Sequence, residues 1–557
     1  MLDRAGRWGI LPAYHGWQGN LVETTPAARD AILAAMGATN DRPPRVRRPK
    51  KLSSEPCAPP PERAWGWAVQ LYALRSRESW GVGDLADLRR FGRWSHRKGA
   101  SIVLLNPLGA QTPTIPYQPS PYYASSRRFR NMVYLRIDEI EGAASCEAEL
   151  APLRTAAREL NQQRLINYDK VFQLKSEALE HIFAAAPQPQ GLAAFLRRHG
   201  RPLHDFATFN AIAEERGPAW RSWPDYLHRP GTDAIEPSRR RLADRIAFHE
   251  WQQFHLDRQL ARASREIGIV TDVPVGFASD GFDAWRWQDL LAPSMRVGAP
   301  PDEFFRDGQD WGCPAFNPWK LSDAHWEPFT DAIRSAAAHA AGVRLDHVMG
   351  LFRLFWIPDG MTAAQGAYVR YPAATLLALL ANESRRAKAF VVGEDLGLVP
   401  PTVRKHLRSR GSLSYRLLWF EGSEPQRWPR DAVAAVGTHD LPTVAGIWTL
   451  TEPERRLHHL REKLVNMTHL PDATPPVDVS VAAYTALARG RPRVVLASLE
   501  DALGVIERPN VPGTTTEFPN WRLALPSSLE AIEGADGVNR IAEAMNASGR
   551  SANLSHA

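Results

Sequence analysis

Three short apolar stretches of this chain end in acidic residues, and these acids are the first candidates for chemistry. VRLDHVMG carries Asp346, FVVGEDLG carries Glu394, and AVAAVGTHD ends in His439 and Asp440. Each stretch is a run of small and β-branched residues, typical of a buried parallel strand that delivers its last side chain to the rim of a sheet. The three acids lie 46 to 48 residues apart. That spacing fits one strand, one helix and their loops.

Two carboxyl groups are the equipment for breaking an acetal bond between sugars, because one attacks the anomeric carbon while the other protonates the departing oxygen. The short Asp346 side chain suits the nucleophile, and the longer Glu394 suits the acid. Arg344 lies two residues before Asp346, on the same side of the strand, and can orient the nucleophile and keep it ionised. The same acids can instead cap the following helices, and the neighbouring histidines can ligate a metal. No HxH or HExxH spacing supports the metal alternative.

The elements that must position these acids recur as a strand and helix repeat. The repeat predicts an α/β fold, a (β/α)8 TIM barrel that carries its chemistry at the carboxyl ends of its strands. The eight predicted strands are residues 67–73, SIVLLNPL, GIVTDVPV, AGVRLD, KAFVVGED, YRLLWFE, AVAAVGTHD and RVVLASLED. Helices such as GDLADLRRFGRWSHRKG, which has Asp84 near its start, connect them.

Two interruptions of the repeat predict inserted, mainly helical subdomains on the catalytic face. Residues 109–265 read as loops and long Arg-, Ala- and Glu-rich helices without a buried strand, and residues 280–320 read as a loop-rich stretch that builds the cleft. Residues 1–61 read as an N-terminal extension with one short helix and a Pro-rich linker. The catalytic barrel is expected to occupy residues 62–557.

The composition is that of an ordinary soluble globular protein, with 44% hydrophobic and 23% charged residues. Lys and Arg total 68 against 61 Asp and Glu, so the formal net charge is +7. The densest basic cluster comprises Arg45, Arg47, Arg48, Lys50 and Lys51. It can be read as a nucleic-acid patch, but its Pro-rich surroundings favour a solvated linker.

Cysteine usage and hydropathy point to a cytoplasmic protein. The three cysteines, Cys57, Cys146 and Cys313, are odd in number and lack metal-ligand spacing, which fits a reducing compartment. The first residues contain no apolar run long enough for a signal peptide, and no stretch approaches 18 consecutive apolar residues. We therefore expect neither secretion nor a membrane partner.

Aromatic residues are concentrated in the loops expected on the catalytic face. Trp285, Trp287, Trp311 and Trp319 fall there, where flat rings can stack on the apolar faces of sugars. For any single one of them, packing in the core is the alternative reading.

Nine motifs together carry a resemblance to a known family. They occur in that family's order through most of the chain: SWGVGDLADLRRF, SPYYASS, NYDKVFQLK, DVPVGFASDGFDAW, PPDEFFRDGQDWGCP, VRLDHVMGLFRLFWIP, GEDLGLVPPTV, GTHDLPTVAGIW and PGTTTEFPNWRLAL. The chain thereby resembles the 4-α-glucanotransferases, or amylomaltases, of glycoside hydrolase family 77 in the α-amylase superfamily.

The resemblance implies roles for individual acids. Asp346 in RLDH matches the nucleophile, Glu394 in GEDLG the acid/base, and Asp440 in THD the third carboxylate, which grips the sugar. Arg344 and His439 match residues that contact the substrate and the transition state.

Further substrate-binding positions are expected around these acids. Tyr122 in SPY and Asp280 in the loop after the third strand match sugar-binding positions of the family, and Trp311 is our candidate for a stacking residue.

Three departures separate the chain from the shorter, compact branch of that family. Met349 stands where those members usually have Arg, Leu441 and Pro442 replace part of a THDND-type run, and RRFRNMVYL follows SPYYASS in place of a small-residue segment. In all three places the chain is more similar to the longer bacterial branch. These sites bear on acceptor preference and leave the two principal acids untouched.

The expected activity is therefore transfer of an α-1,4-glucan segment to an acceptor glucan or glucose by a retaining double displacement. The resemblance implies that no cofactor or metal is needed. Expected partners are maltodextrin as donor and acceptor and no nucleic acid, and the chain is expected to be a monomer or small homo-oligomer. An α-1,4-glucan hydrolase on the same barrel and a non-catalytic glucan-binding protein are the alternatives.

Overall fold

A computed structural model describes residues 3–47, 49, 52–302, 305–397, 399–450 and 457–551. Within these residues the strands are β1 (Ala13–His15), β2 (Leu21–Glu23), β3 (Ala64–Val69), β4 (Ile102–Leu105), β5 (Gly109–Ala110), β6 (Ser126–Arg130), β7 (Gly268–Val273), β8 (Leu291–Ala299), β9 (Gln309–Phe316), β10 (Gly342–Leu345), β11 (Arg353–Pro358), β12 (Ala367–Arg370), β13 (Phe390–Gly393), β14 (Leu413–Leu417), β15 (Ala432–Ala435) and β16 (Val494–Ser498).

The helices of the same residues are α1 (Arg4–Arg7), α2 (Pro26–Ala35), α3 (Leu85–Arg97), α4 (Glu147–Glu159), α5 (Tyr168–Ala185), α6 (Leu192–Arg216), α7 (Glu236–Arg241), α8 (Ala243–Ala263), α9 (Phe282–Arg286), α10 (Glu327–Ala336), α11 (Ala373–Ala387), α12 (Pro401–Ser409), α13 (Val444–Thr449), α14 (His458–Thr468), α15 (Pro476–Ala488), α16 (Leu499–Ala502), α17 (Leu529–Ile532) and α18 (Asp536–Ala547).

Eight parallel strands close into a barrel in chain order, β3, β4, β7, β10, β13, β14, β15 and β16, with β16 pairing back to β3. The predicted (β/α)8 barrel is confirmed. Strands such as β10, β13 and β15 are buried along their whole length, which explains their unbroken apolar sequences. Predicted strand boundaries are displaced by a few residues; the first strand, for example, is Ala64–Val69 and the sixth is Leu413–Leu417.

Helix α3 shows how local sequence sets an element boundary. Asp84 caps its first turn by accepting from the backbone N–H groups of Ala86 and Asp87, and the Asp87 side chain accepts from the Asp84 N–H in return. Arg136 donates to both carboxylates at 2.6 Å, so the cap is also tied to the segment that follows β6. This capping box fixes the helix after the first barrel strand.

The residues between β4 and β7 are mainly helical, as predicted, but the expectation that they contain no buried strand was wrong. Strands β5 and β6 pair antiparallel with an irregular register. β6 was missed because its arginines make its sequence look like that of an exposed segment. In the folded chain Arg127 and Arg128 form ion pairs with Asp283 and Asp331.

The stretch 280–320 is not the loop region that its composition predicted. Strands β8 and β9 lie within it and join β11 and β12 in a four-stranded antiparallel sheet of order β12-β11-β8-β9. The N-terminal residues pack against this sheet, with Ile10 bridging Val369 and with Trp8 and Met36 in the same apolar cluster.

Other expectations concern the linker, the cysteines and the membrane. Of the basic cluster, Arg48, Lys50 and Lys51 lie outside the described residues. Cys57, Cys146 and Cys313 are buried and free. In the described part of the chain, no helix has the length and apolar character that crossing a membrane requires.

Candidate active site

The barrel places two of the predicted acids on neighbouring strands. Asp346 and Glu394 are the first residues after β10 and β13, which pair in parallel with Leu345 opposite Gly393. The Asp346 N–H donates to the Val273 carbonyl at 3.1 Å, and the Glu394 N–H donates to the Leu345 carbonyl at 3.0 Å. The strand ladder therefore continues into the acids and fixes both backbones at the carboxyl end of the barrel, where barrel enzymes carry their chemistry.

Arg344 links Asp346 to a third buried acid, Asp272 on β7. Its Nη1 lies 2.5 Å from Asp272 Oδ2 and 3.3 Å from Asp346 Oδ1. The register that puts Arg344 opposite Asp272 makes both contacts possible. Asp272 did not appear among the predicted site residues, although TDVPV ends a strand-like run in the same way as the other motifs.

Burial dominates the ionisation of Asp346. It raises the pKa of the Asp346 carboxyl to about 7; Arg344 opposes this shift, whereas Asp272, Glu394 and Asp440 add to it. As expected, Arg344 acts to lower the pKa of Asp346 and so favours its ionised form, but burial raises that pKa by more. An acid with a raised pKa amid other acids is typical of catalytic sites.

This raised pKa predicts a pH-dependent stability difference between the wild type and Asp346→Asn. Between about pH 4 and pH 7 the folded wild type holds a proton on Asp346 that the unfolded chain has lost, so this group's contribution to stability falls as pH rises through that window. The variant stays neutral. Thermal unfolding is measured at pH 5 and pH 8. The Tm of Asp346→Asn relative to that of the wild type is expected to be higher at pH 8 than at pH 5. An equal Tm difference at both pH values contradicts the assignment.

Glu394 is held by backbone donors on both oxygens. The His347 N–H donates to Oε2 at 2.8 Å and the Leu396 N–H to Oε1 at 3.0 Å. His347 adopts a left-handed conformation with φ of 44°, which turns the chain sharply after Asp346. Each carboxyl oxygen keeps a second lone pair, so these bonds orient the group without blocking a proton.

Trp311 is brought to the same place by the four-stranded sheet. Its ring packs edge-on against His347, with centroids 5.2 Å apart. The predicted stacking residue thus lies on β9, next to the residue that follows Asp346.

Asp440 forms a tight group with His439 and Asn510. Its Oδ2 lies 3.3 Å from His439 Nε2, and its Oδ1 accepts from Asn510 Nδ2 at 2.6 Å. Burial acts to raise the pKa of Asp440, but the His439 imidazole and the bond from Asn510 reverse the balance and hold it below the usual value. For His439, burial acts to lower the pKa, and Asp440 raises it above the usual value.

Asp440→Asn is therefore expected to lower the pKa of His439, because the carboxylate that favours the imidazolium is removed. The His439 signal can be followed by NMR titration, with His439→Gln used to assign it. An unchanged His439 pKa in Asp440→Asn contradicts this account of the pair.

Tyr122 completes the wall on the opposite side of Arg344. Its hydroxyl donates to Asp272 Oδ2 at 2.5 Å, and its ring lies 4.9 Å from His439 and 5.1 Å from Trp521. Trp521 was not singled out from the sequence, although it lies in the motif PGTTTEFPNWRLAL. These three rings pack against one another at tilted angles and form a partly apolar cluster beside Asp272.

Other predicted positions lie elsewhere. Asp280 is 53% exposed and pairs with Arg221 of the helical insertion at 3.0 Å. Trp285 is a core residue with no exposed surface, so the stacking alternative does not apply to it. Trp319 donates from Nε1 to the Trp8 carbonyl at 3.1 Å.

No group of three or more His, Cys, Asp or Glu side chains in the described residues is arranged to hold a metal ion.

A closed (β/α)8 barrel with acidic side chains at the carboxyl ends of adjacent strands is an arrangement found in enzymes that act on glycosidic bonds. The family 4-alpha-glucanotransferase, glycoside hydrolase family 77, matches residues 69–529. The 4-alpha-glucanotransferase of Mycobacterium tuberculosis is 39% identical over 547 residues, covering 89% of this chain and 75% of that protein. That of Haemophilus influenzae is 31% identical, with 85% and 76% covered. The chain belongs to glycoside hydrolase family 77, the 4-alpha-glucanotransferases.

Solved structures agree with the fold. The amylomaltase from Corynebacterium glutamicum superposes with a TM-score of 0.83 at 25% identity, covering 97% of this chain and 99% of that one. The amylomaltase from Streptococcus agalactiae in complex with acarbose gives 0.73 at 20% identity, covering 88% and 100%.

Proposed function

We propose that the chain transfers α-1,4-glucan segments by a retaining double displacement in which Asp346 is the nucleophile and Glu394 the acid/base. The observation that carries the proposal is the placement of these two acids on paired barrel strands, each held by backbone hydrogen bonds. Membership of the glucanotransferase family supplies the substrate class, maltodextrin as donor and acceptor.

In the first step a carboxylate oxygen of Asp346 attacks the anomeric carbon while Glu394 gives its proton to the departing glycosidic oxygen. The C1–O4 bond breaks, and a β-glycosyl ester forms on Asp346. In the second step Glu394 takes the proton of the acceptor 4-hydroxyl as that oxygen attacks C1. The ester bond breaks and both acids return to their starting states.

Asp440, Arg344 and His439 are assigned to the sugar in this scheme. Asp440, ionised beside His439, can grip two hydroxyls of the donor ring, and Arg344 orients Asp346 for attack. Tyr122 and Trp311 offer ring faces, and Asp280 is proposed as a sugar-binding position further out, where it is exposed.

Transfer is distinguished from hydrolysis by products. Incubation with maltotriose is expected to give both glucose and maltodextrins longer than the substrate, read by chromatography. An Asp346→Ala sample is the control for background. If all products are shorter than maltotriose, the result contradicts transfer and favours the hydrolase alternative. If Asp346→Ala and the wild type turn over maltotriose equally, the result favours a non-catalytic glucan-binding protein.

We further propose that the enzyme works in the cytoplasm without a cofactor, with residues 1–61 as an extension and residues 62–557 as the catalytic barrel. The three buried, free cysteines support a reducing compartment. The first barrel strand, which begins at Ala64, supports the boundary.

A further inference from the structure

A cavity of about 50 Å³ lies beside the acids, at the carboxyl ends of β3, β4, β7 and β16. The residues that line it include Tyr122, Asp272, Arg344, Gln70 and Glu500. Its volume suits a small polar group or a few water molecules. We call it the Gln70–Glu500 cavity.

Two hydrogen-bond acceptors in this cavity have no donor within the described residues. They are Gln70 Oε1 and Asp272 Oδ1, both buried. The two residues are 9% and 6% exposed. The other Asp272 oxygen is fully used, because Tyr122 and Arg344 both donate to it. Buried acceptors are normally paired, so these two point to a donor that enters from outside the protein.

Glu500 brings a third acceptor group to the cavity. Its Oε2 accepts from the Ser498 hydroxyl at 2.7 Å, and burial raises the pKa of its carboxyl. The adjacent Asp501 differs, because its two oxygens are taken by the Val444 N–H at 2.7 Å and the Tyr484 hydroxyl at 2.6 Å. Asp501 is therefore satisfied within the protein, whereas Gln70 and Asp272 await a partner.

We propose that the Gln70–Glu500 cavity receives a hydroxyl group of the donor glucosyl unit and that Gln70 and Glu500 thereby determine donor specificity. The inference rests on the proposed function, since it places the donor sugar over Arg344 and Asp346. A hydroxyl donates the hydrogen bond that the orphaned acceptors lack. The rest of its lining is partly apolar, as at Leu104, and partly polar, as at Ser498, and its small volume admits a hydroxyl group but not a whole sugar.

The test compares fluoride release from α-D-glucosyl fluoride and its 2-, 3-, 4- and 6-deoxy analogues, with maltose as acceptor. In the wild type, one deoxy donor is expected to release fluoride at least tenfold more slowly than the other deoxy donors do, after correction for the intrinsic reactivity of each. In Gln70→Leu, the reaction of the parent donor is expected to slow by about tenfold. The reaction of that deoxy donor is expected to be nearly unaffected, because it lacks the hydroxyl that Gln70 is proposed to bind. Taking ratios between enzymes cancels the intrinsic reactivity of each donor.

Glu500→Gln is the second variant, since it keeps the shape and replaces one acceptor oxygen with an amide NH₂. It is expected to bring the rates of the parent and deoxy donors closer together. Glu383→Gln is the matched control. Glu383 is also 8% exposed, but it pairs with Arg334 and Arg386 on the outer helix layer. Its donor ratios are expected to equal those of the wild type.

The proposal is overturned if Gln70→Leu and Glu500→Gln each slow the reaction of every donor by one common factor. That result indicates a structural role for the two residues or a cavity filled only with water. Failure of the proposed function itself looks different. In that case wild type and Asp346→Ala release fluoride from the parent donor at equal rates.

Discussion

Asp346→Ala is expected to lower kcat/KM for maltotriose by about 10⁴-fold or more, because the variant lacks the carboxylate that is proposed to form the glycosyl ester. The backbone hydrogen bond at the end of β10 and the contact with Arg344 at 3.3 Å hold Asp346 in place. A water molecule in the space left by the substitution is less nucleophilic than the carboxylate and is not oriented in this way. The measurement is glucose release under single-turnover and steady-state conditions, with Tm recorded to confirm folding.

Azide supplies the control for this variant. A small anion can occupy the space left by the carboxylate and attack the anomeric carbon of α-glucosyl fluoride, which is expected to restore part of the fluoride release and to yield the β-glycosyl azide. Retention of more than about a hundredth of wild-type activity without azide shows that Asp346 is not the nucleophile.

Glu394→Gln is expected to separate donors by their leaving groups. Activity on maltotriose should fall by about 10³-fold, since its departing oxygen needs a proton. Fluoride leaves without one, so the first step with α-glucosyl fluoride should fall far less. Both are measured as initial rates, of glucose release and fluoride release respectively.

The structure adds a cost to that substitution. Both oxygens of Glu394 accept backbone N–H groups, from His347 and Leu396, and an amide has only one oxygen to offer. One N–H then faces the amide NH₂, and a loss of about 1 kcal/mol in stability is expected. Equal losses of rate on both donors, measured at a temperature where the variant is folded, contradict the acid/base role.

The barrel could be predicted from sequence because its strands are buried on both faces and therefore read as unbroken apolar runs. Parallel pairing then does the rest. Strands that run in the same direction end on the same edge, so acids that follow two consecutive runs are brought together, as Asp346 and Glu394 are.

The four-stranded sheet could not be predicted in the same way. β8 and β9 carry Pro, Gly and Asp residues, with shifts in their pairing register, so neither shows the alternation of a half-buried strand. β11, which pairs with β8, lies more than fifty residues later in the chain, and only the fold reveals that contact. Trp311 was predicted in a loop and is found on β9 for this reason.

The electrostatics of the site were also beyond the sequence. Arg344 two residues before Asp346 suggested a nucleophile kept ionised, but the net shift depends on burial and on Asp272, which arrives from another strand. Likewise Asn510, which donates to Asp440 at 2.6 Å, lies 70 residues further along the chain. Pairings of this range are set by topology, and local patterns carry no trace of them.

The most direct test of the account is to trap the glycosyl ester. Glu394→Gln is incubated with 5-fluoro-α-D-glucosyl fluoride without an acceptor, digested with pepsin, and mapped by mass spectrometry. We predict one stable label, on the peptide that contains VRLDHVMG, located at Asp346, and its loss on adding azide, an anion that attacks C1 without the general base that this variant lacks. A label on another acid, or fluoride release with no labelled peptide, contradicts the central claim.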